Sequence, residues 1–259
     1  MKTIWISALS KNQPRVSAVS AVLKRYGLDA KGHFWIDETE KVSSRVALDG
    51  LLEARADVWL ILADNAEMAK PTVRYGLSLL AAGLRAARGA GFPIVMLWDA
   101  APTVELPGLL QPVTTALEAE SSWPAKIVAK ANVPPKVAAP DYCFDVVGDE
   151  RMGQWFAIGP RGEGKVWDGV MFGVAGEGAE INFQAVGPSG ALPEKTVLEF
   201  AQQGMTLQVG EREFTAWAVR NPVDAASSYY ARVKGCPEAV LFMPYAEGAD
   251  AEATVLRLS

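Results

Sequence analysis

The chain has 259 residues, of which half are hydrophobic and 21% are charged, with a formal net charge of −5. This composition is typical of a compact globular protein and excludes a disordered, collagen-like or coiled-coil chain. The lone His33 and the two cysteines, Cys143 and Cys236, are too few and too far apart for a zinc site, and we expect no metal. We interpret His33, which stands beside Phe34, as a partly buried, hydrogen-bonded side chain.

The charge is distributed unevenly along the chain. Residues 1–139 carry a net charge of +3, and residues 140–259 carry a net charge of −8. Neither part has a Lys and Arg cluster of the kind that binds a phosphate backbone, so nucleic acid is not expected as a partner. No apolar run is long enough for a signal peptide or a membrane span. We therefore expect a cytoplasmic protein with reduced cysteines and no membrane partner.

Short apolar segments alternate with segments of helical periodicity in the first half. The apolar segments are typical of strands and cover residues 3–9, 32–37, 58–63 and 92–99. Apolar residues recur at helical spacing in the segments 15–26, 44–56 and 72–88. A further helix over 109–120 and a strand over 126–129 complete the predicted pattern. This order predicts a five-stranded, parallel, doubly wound α/β domain, flavodoxin-like or TIR-like in class.

A Pro-rich segment, residues 133–141, is the predicted linker between two domains. The α/β domain covers residues 1–132, and the second domain, 142–259, contains many short β-like runs separated by glycine turns. These runs cover residues 142–147, 154–158, 166–174, 180–186, 197–201, 205–209, 213–219, 240–244 and 254–258. Residues 223–233 are predicted to form one helix. The second domain is therefore expected to be a β-rich α+β domain with mainly antiparallel strands.

Polar side chains follow the strands of the predicted parallel sheet, at the edge where ligands bind in open α/β sheets. The loop after the first strand contains no glycine, which excludes both glycine-rich phosphate-binding motifs, and we expect no cofactor. The candidate ligand-binding residues at this edge are Ser7, Ser10, Lys11, Arg15, Asp64 and Asn65. Exposed loops and helix caps also favour such residues, and this alternative stays open.

Residues 54–77 predict the end of a helix, a hydrophobic strand, a polar turn and another helix. Together with the FWIDE segment before them and the strand 92–98 after them, they make the first half resemble a TIR (Toll/interleukin-1 receptor) domain. The nucleoside 2-deoxyribosyltransferases have a similar layout. The resemblance covers residues 1–130 and implies self-association, which is common among TIR domains. Arg74 and Tyr75, in the matching stretch of the third helix, join the candidate ligand-binding residues.

The chain departs from these families at the residue that performs their chemistry. TIR domains that cleave NAD, and the deoxyribosyltransferases, rely on a glutamate early in the third helix. A carboxylate in that position can stabilise or attack an oxocarbenium-like centre. In this sequence the matching position is Gly76, or Tyr75 if the register shifts by one residue, and neither can take that role.

Two hypotheses of function follow. The first is a TIR-like binding or assembly module without the catalytic glutamate, which forms homo-oligomers and binds a nucleotide-like or nucleoside ligand at the carboxyl ends of the strands. The unlike charges of the two halves favour contact between the first domain of one copy and the second domain of another. The alternative is an enzyme that hydrolyses NAD or transfers ribosyl groups and uses Asp37, Asp64 or Glu67 as its acid.

Overall fold

The chain forms two compact units in the computed structural model. Unit 1 consists of Met1–Glu38 and Ser43–Ala138, and unit 2 consists of Thr39–Val42 and Ala139–Ser259. The structure describes residues 1–245 and 252–259. No helix in these ranges is both long enough and apolar enough to cross a membrane.

Unit 1 is a parallel sheet covered by helices. Its five strands lie in the order β2-β1-β3-β4-β5 and are β1 (Lys2–Ala8), β2 (Leu28–Phe34), β3 (Val58–Ala63), β4 (Ile94–Trp98) and β5 (Thr114–Leu117). The helices are α1 (Gln13–Arg25), α2 (Ser43–Glu53), α3 (Asn65–Met68), α4 (Pro71–Arg88) and α5 (Trp123–Asn132). All neighbouring strands run parallel, which confirms the predicted five-stranded parallel sheet.

The sheet of unit 1 is buried on both faces. In β3, Trp59 and Ile61 pack on one face with apolar residues of α2 and α4. Leu60 and Leu62 pack on the other face with residues of α1 and α5. A strand that is covered on both sides has no polar face, which explains why β3 and β4 are continuously apolar in the sequence.

The last two elements of unit 1 are the reverse of those predicted. The expected helix over 109–120 is instead the strand β5, and the expected strand over 126–129 lies inside α5. Pro112 has no amide hydrogen and disfavours a helix interior, whereas the β-branched Thr114 favours a strand. In α5, Trp123, Ile127 and Ala131 are buried at intervals of four residues, so the helical period determines the structure.

Unit 2 is built from antiparallel strands. They are β6 (Tyr142–Asp149), β7 (Gly153–Pro160), β8 (Val166–Trp167), β9 (Val170–Ala175), β10 (Glu180–Pro188), β11 (Gln202–Val209), β12 (Arg212–Val219), β13 (Val223–Asp224), β14 (Ser227–Lys234), β15 (Ala239–Pro244) and β16 (Thr254–Arg257). They form a four-stranded sheet, β10-β14-β7-β6, a five-stranded sheet, β11-β12-β9-β15-β16, and the pair β13-β8. Aromatic rings of the two larger sheets meet in the core, for example Phe156 with Phe172 and Phe144 with Phe242.

The helix predicted over 223–233 is wrong, because these residues contribute to β13 and β14, and no α-helix occurs in the described part of unit 2. β14 pairs with β10 on one side and β7 on the other, and both of its faces are covered. Tyr229 donates to Gln184 Oε1 at 2.9 Å, while Tyr230 bonds the Pro188 carbonyl at 2.5 Å. The predicted strand over 197–201 is irregular, and the one over 166–174 is divided between β8 and β9.

Candidate functional site

The candidate site is the edge of unit 1 at which the parallel strands end and the following helices begin. Two polar residues at this edge cap helices. Asn12 Oδ1 accepts the Arg15 amide at 3.1 Å at the start of α1, and Asp64 Oδ1 accepts the Glu67 amide at 2.9 Å at the start of α3. Asx side chains in this position satisfy amides that the helix itself leaves without an acceptor, which explains their place in the sequence.

Arg15 connects three strands at this edge. Its Nη2 donates to the carbonyl oxygens of Ala63 at 2.9 Å and Leu97 at 3.1 Å, which lie at the ends of β3 and β4. Its Nε donates to Glu118 Oε1, just beyond β5, at 2.6 Å. The Arg15 side chain is only 10% exposed. An anionic ligand would therefore have to compete with Glu118 for the guanidinium group.

Asn65 fixes the loop that follows β4. Its Nδ2 donates to the Ala101 carbonyl at 2.9 Å, and its Oδ1 accepts the Thr103 amide at 2.8 Å and the Thr103 hydroxyl at 3.0 Å. Beside it, Asp64 uses one carboxylate oxygen for the helix cap, and its Oδ2 is buried without a hydrogen-bond partner. A buried oxygen without a hydrogen bond lowers the stability of the folded state, so Asp64 Oδ2 is an atom at this edge suited to accept a hydrogen bond from a ligand.

One of the three candidate acids, Glu67, is paired with Lys70, a residue that the sequence did not single out. Lys70 Nζ donates to both carboxylate oxygens of Glu67, each at 2.8 Å. This hydrogen bond, together with the charges of Asp37 and Asp64, raises the pKa of Lys70 above its usual value. Asp37 Oδ2 also accepts the Thr72 hydroxyl at 2.7 Å. The structure therefore brings Asp37, Asp64 and Glu67 together, with an ammonium group beside them.

Helix α4 begins at Pro71, one residue before the predicted helical segment 72–88, and carries the next two candidates in its first turns. Arg74 Nη1 donates to the carbonyl oxygens of Met68 at 2.8 Å and Ala69 at 2.9 Å, which closes the end of α3. Tyr75 is completely buried. Arg74 thus serves the junction between α3 and α4, and Tyr75 is closed to solvent.

Gly76 occupies the position at which a catalytic glutamate would be sought, and a side chain does not fit there. A Cβ atom on Gly76 would lie 2.7 Å from Cζ2 of Trp35, well inside van der Waals contact. Trp35 follows β2 and is 7% exposed, and its amide donates to the Ala8 carbonyl at 2.8 Å. The indole of Trp35 therefore fills the space beside α4 that a carboxylate would need.

Ser7, another candidate, is fully buried in β1. Its Oγ accepts Trp59 Nε1 at 2.9 Å and lies 2.8 Å from His33 Nε2. The His33 ring lies near the indoles of Trp5 and Trp35, with centroid distances of 5.6 and 6.1 Å. Although a serine and a histidine at this distance can act as nucleophile and base, Ser7 is closed to solvent, and the pair has a structural role.

Burial lowers the pKa of His33 below its usual value, which makes stability depend on pH. The unfolded chain binds this proton with a pKa of about 6.5, so we expect the contribution of His33 to be complete above that pH. As the pH falls below it, stability should decrease by up to about 1.4 kcal/mol per pH unit until the folded-state pKa is passed.

Urea unfolding from neutral pH to about pH 5 measures this slope. A His33→Asn variant is the control, since it keeps a polar side chain but does not titrate. If the variant and the natural protein lose stability in parallel, His33 is not the origin of the slope.

Ser10 and Lys11 lie in the turn before α1, where the Asn12 amide donates to the Ser10 carbonyl at 2.8 Å, and Lys11 is exposed. A cleft of about 230 Å³ opens between α1 and the edge strand β2, lined among others by Gln13 and Gly32. None of the predicted ligand-binding residues lines this cleft. Ser7 lies behind it, hydrogen-bonded to the lining residue His33. The predicted binding residues thus do not line one common cleft here.

No family model and no curated protein matches the chain. Within residues 1–245 and 252–259, no group of three His, Cys, Asp or Glu side chains could hold a metal ion. The residues that the sequence did not reveal are Trp35, Lys70, Thr72 and Glu118. Of these, only Lys70 had a local signal, because it stands three positions after Glu67.

Proposed function

We propose that this protein is a non-catalytic binding and assembly module whose first unit is TIR-like. The strand order β2-β1-β3-β4-β5 supports the flavodoxin-like topology on which that likeness depends. The observation that carries the proposal is the contact between Gly76 and Trp35. The helix α4 contains no acidic residue, and the indole of Trp35 occupies the space that a side chain at position 76 would need, so α4 offers no carboxylate for glycosyl chemistry.

The other acidic residues at this edge support the same proposal. Glu67 is paired with Lys70, Asp37 accepts from Thr72, and Asp64 caps α3. A carboxylate that acts on an oxocarbenium-like centre needs an open approach to the substrate. We also propose that a nucleotide-like ligand binds at this edge, where Lys11 is exposed in the turn before α1.

The first test is to incubate the full-length protein with NAD and a panel of nucleosides and to measure free base by chromatography. We expect no base release above the rate of a protein-free control. Size-exclusion chromatography with light scattering should show an oligomer in the same preparation. Base release would overturn the non-catalytic part of the proposal, and a protein that stays monomeric at the highest attainable concentration would overturn its assembly part.

The alternative is an enzyme of NAD or nucleoside metabolism, and it is favoured by the grouping of Asp37, Asp64 and Glu67 around Lys70. If base release is observed, Glu67→Gln should abolish it. Glu53→Gln, at the exposed end of α2, is the matched control and should leave the rate unchanged. Release that both variants retain would exclude Glu67 as the acid.

A further inference from the structure

The outer edge of β11 is an open sheet edge. β11 is the terminal strand of the five-stranded sheet, and no strand pairs with its outer side in the part of the chain that the structure describes. Its sequence, QQGMTLQV, contains no charged residue and no proline, and most of these residues are exposed. Strand edges with these properties readily pair with another strand.

The other sheet edges in the described residues carry features that discourage pairing. β2 and β6 contain charged side chains. β10 begins with a glutamate and ends with a proline, and Thr196 Oγ1 occupies both the amide and the carbonyl of Val186 on it. β5 and β16 are only four residues long, and β8 and β13 have two residues each. β11 has a register irregularity between Gln202 and Met205, but it differs from the other edges in its regular, uncharged and uncovered stretch from Met205 to Val209.

The segment that leads into β11 exposes two large apolar side chains. Val197 is 82% exposed and Phe200 is 77% exposed. Phe200 also adopts a φ of 48°, in the left-handed region that non-glycine residues rarely occupy. Arg220 lies over its ring at 5.6 Å. Phe200 therefore combines a strained backbone with a ring that the described part of the chain leaves mostly exposed, beside an open sheet edge.

We infer that β11 pairs antiparallel with β11 of a second copy, so that two five-stranded sheets join into one ten-stranded sheet across a two-fold axis. The inference rests on the proposed assembly function and assigns it a surface. Backbone hydrogen bonds between the two β11 strands would supply the affinity. At each end of the paired strands, the second copy would cover the exposed Val197 and Phe200.

The chemistry of this edge fits a second copy. A two-fold axis between the two β11 strands pairs an uncharged strand with its own copy, so no like charges oppose each other along the paired strands. It also brings the Phe200 end of one copy to the β11–β12 hairpin end of the other. The Phe200 end carries Glu199 and Arg220, and the hairpin end carries Glu211, Arg212 and Glu213. Each end therefore presents both signs of charge to the other, which an acidic or a basic peptide would not match.

A Thr206→Lys substitution tests the surface. Thr206 is exposed in the middle of β11, and the two-fold axis would place its two copies close together. We expect the natural protein to be a dimer by light scattering and the variant to have a dissociation constant at least about tenfold higher. Thr215→Lys is the matched control. Thr215 is the exposed residue that pairs with Thr206 on β12, one strand inside the edge, and its substitution should leave the dimer intact.

The outcomes separate this inference from the proposed function. If the natural protein is an oligomer and Thr206→Lys leaves it unchanged, the β11 surface is wrong while assembly stands. If the natural protein is a monomer up to the highest attainable concentration, both fail.

Two further measurements keep the test valid should Thr206→Lys fold poorly. Amide hydrogen exchange in β11 of the natural protein should slow as protein concentration rises, and exchange that does not change would overturn the inference. Phe200→Gly should weaken the dimer without destabilising the folded monomer, because glycine adopts the left-handed backbone without strain. A variant that keeps the natural dissociation constant would remove Phe200 from the interface.

Discussion

A Gly76→Ala substitution is expected to lower the free energy of unfolding by about 1 to 3 kcal/mol, as adding a methyl group to a closely packed site usually does. The new Cβ would lie 2.7 Å from Trp35 Cζ2, and the buried indole has little room to withdraw. Intrinsic helix propensity alone predicts the opposite sign, a gain of about 1 kcal/mol for alanine over glycine in a helix interior. The sign of the measured change therefore distinguishes packing against Trp35 from propensity.

Equilibrium urea unfolding measures the effect, and a double-mutant cycle assigns its cause. In a Trp35→Phe background the ring is smaller, so Gly76→Ala should be neutral or stabilising there. The coupling energy between the two sites should then be about 1 to 4 kcal/mol. An alanine that costs the same in both backgrounds would show that Trp35 is not what excludes a side chain at position 76.

The same contact has a consequence for function. A glutamate at position 76 would need room for a whole side chain where even a methyl group clashes. The absence of an acid at position 76 is therefore matched by the placement of Trp35 after β2. We expect Gly76→Glu alone to yield a destabilised protein without glycosyl activity.

The parts of the fold that could be predicted are those specified by local pattern. β3 was predicted with its observed bounds because a continuous apolar run of this length fits a strand buried on both faces. Helix α4 was predicted over 72–88 from its helical period, and Pro71 in its first turn and Gly89 at its C-cap are local signals that fit its observed ends. These signals lie within a few residues of the elements they define.

The errors arose where burial on both faces removes the pattern. β14 buries Tyr229 towards one sheet face and Tyr230 towards the other, so its sequence has no alternation of apolar and polar residues. A short run of this kind cannot be distinguished from a buried helix by period. The order of β5 and α5 was inverted for a different reason, because β5 is only four residues long.

The candidate site was predictable in part. Asp37, Asp64 and Glu67 could be grouped because the ends of parallel strands meet at one edge of the sheet. Their partners could not be found in this way, because the decisive contacts join distant positions. Arg15 and Glu118 are 103 residues apart, and Gly76 meets Trp35 from another element. Sequence spacing contains no information about such contacts.

An Arg15→Met substitution is expected to cost about 2 to 4 kcal/mol of stability in the absence of any ligand. The change keeps much of the apolar stem but removes every donor. It leaves the Glu118 carboxylate without its partner and the carbonyl oxygens of Ala63 and Leu97 without the Nη2 donor. Glu118→Gln should cost about 1 kcal/mol or less, because the amide oxygen can still accept from Nε.

The contrast between these variants decides whether Arg15 serves the fold or a ligand. If Arg15 holds the strand ends, Arg15→Lys should also destabilise, since one ammonium group cannot reproduce the forked geometry that reaches β3, β4 and Glu118 together. If Arg15 instead serves an anionic ligand, Arg15→Met should leave the unfolding curve of the free protein unchanged and abolish any rise in melting temperature with AMP or phosphate. Because the guanidinium is nearly buried and already paired with Glu118, we expect Arg15→Met to lower the stability of the free protein and to leave any rise in melting temperature with AMP or phosphate unchanged.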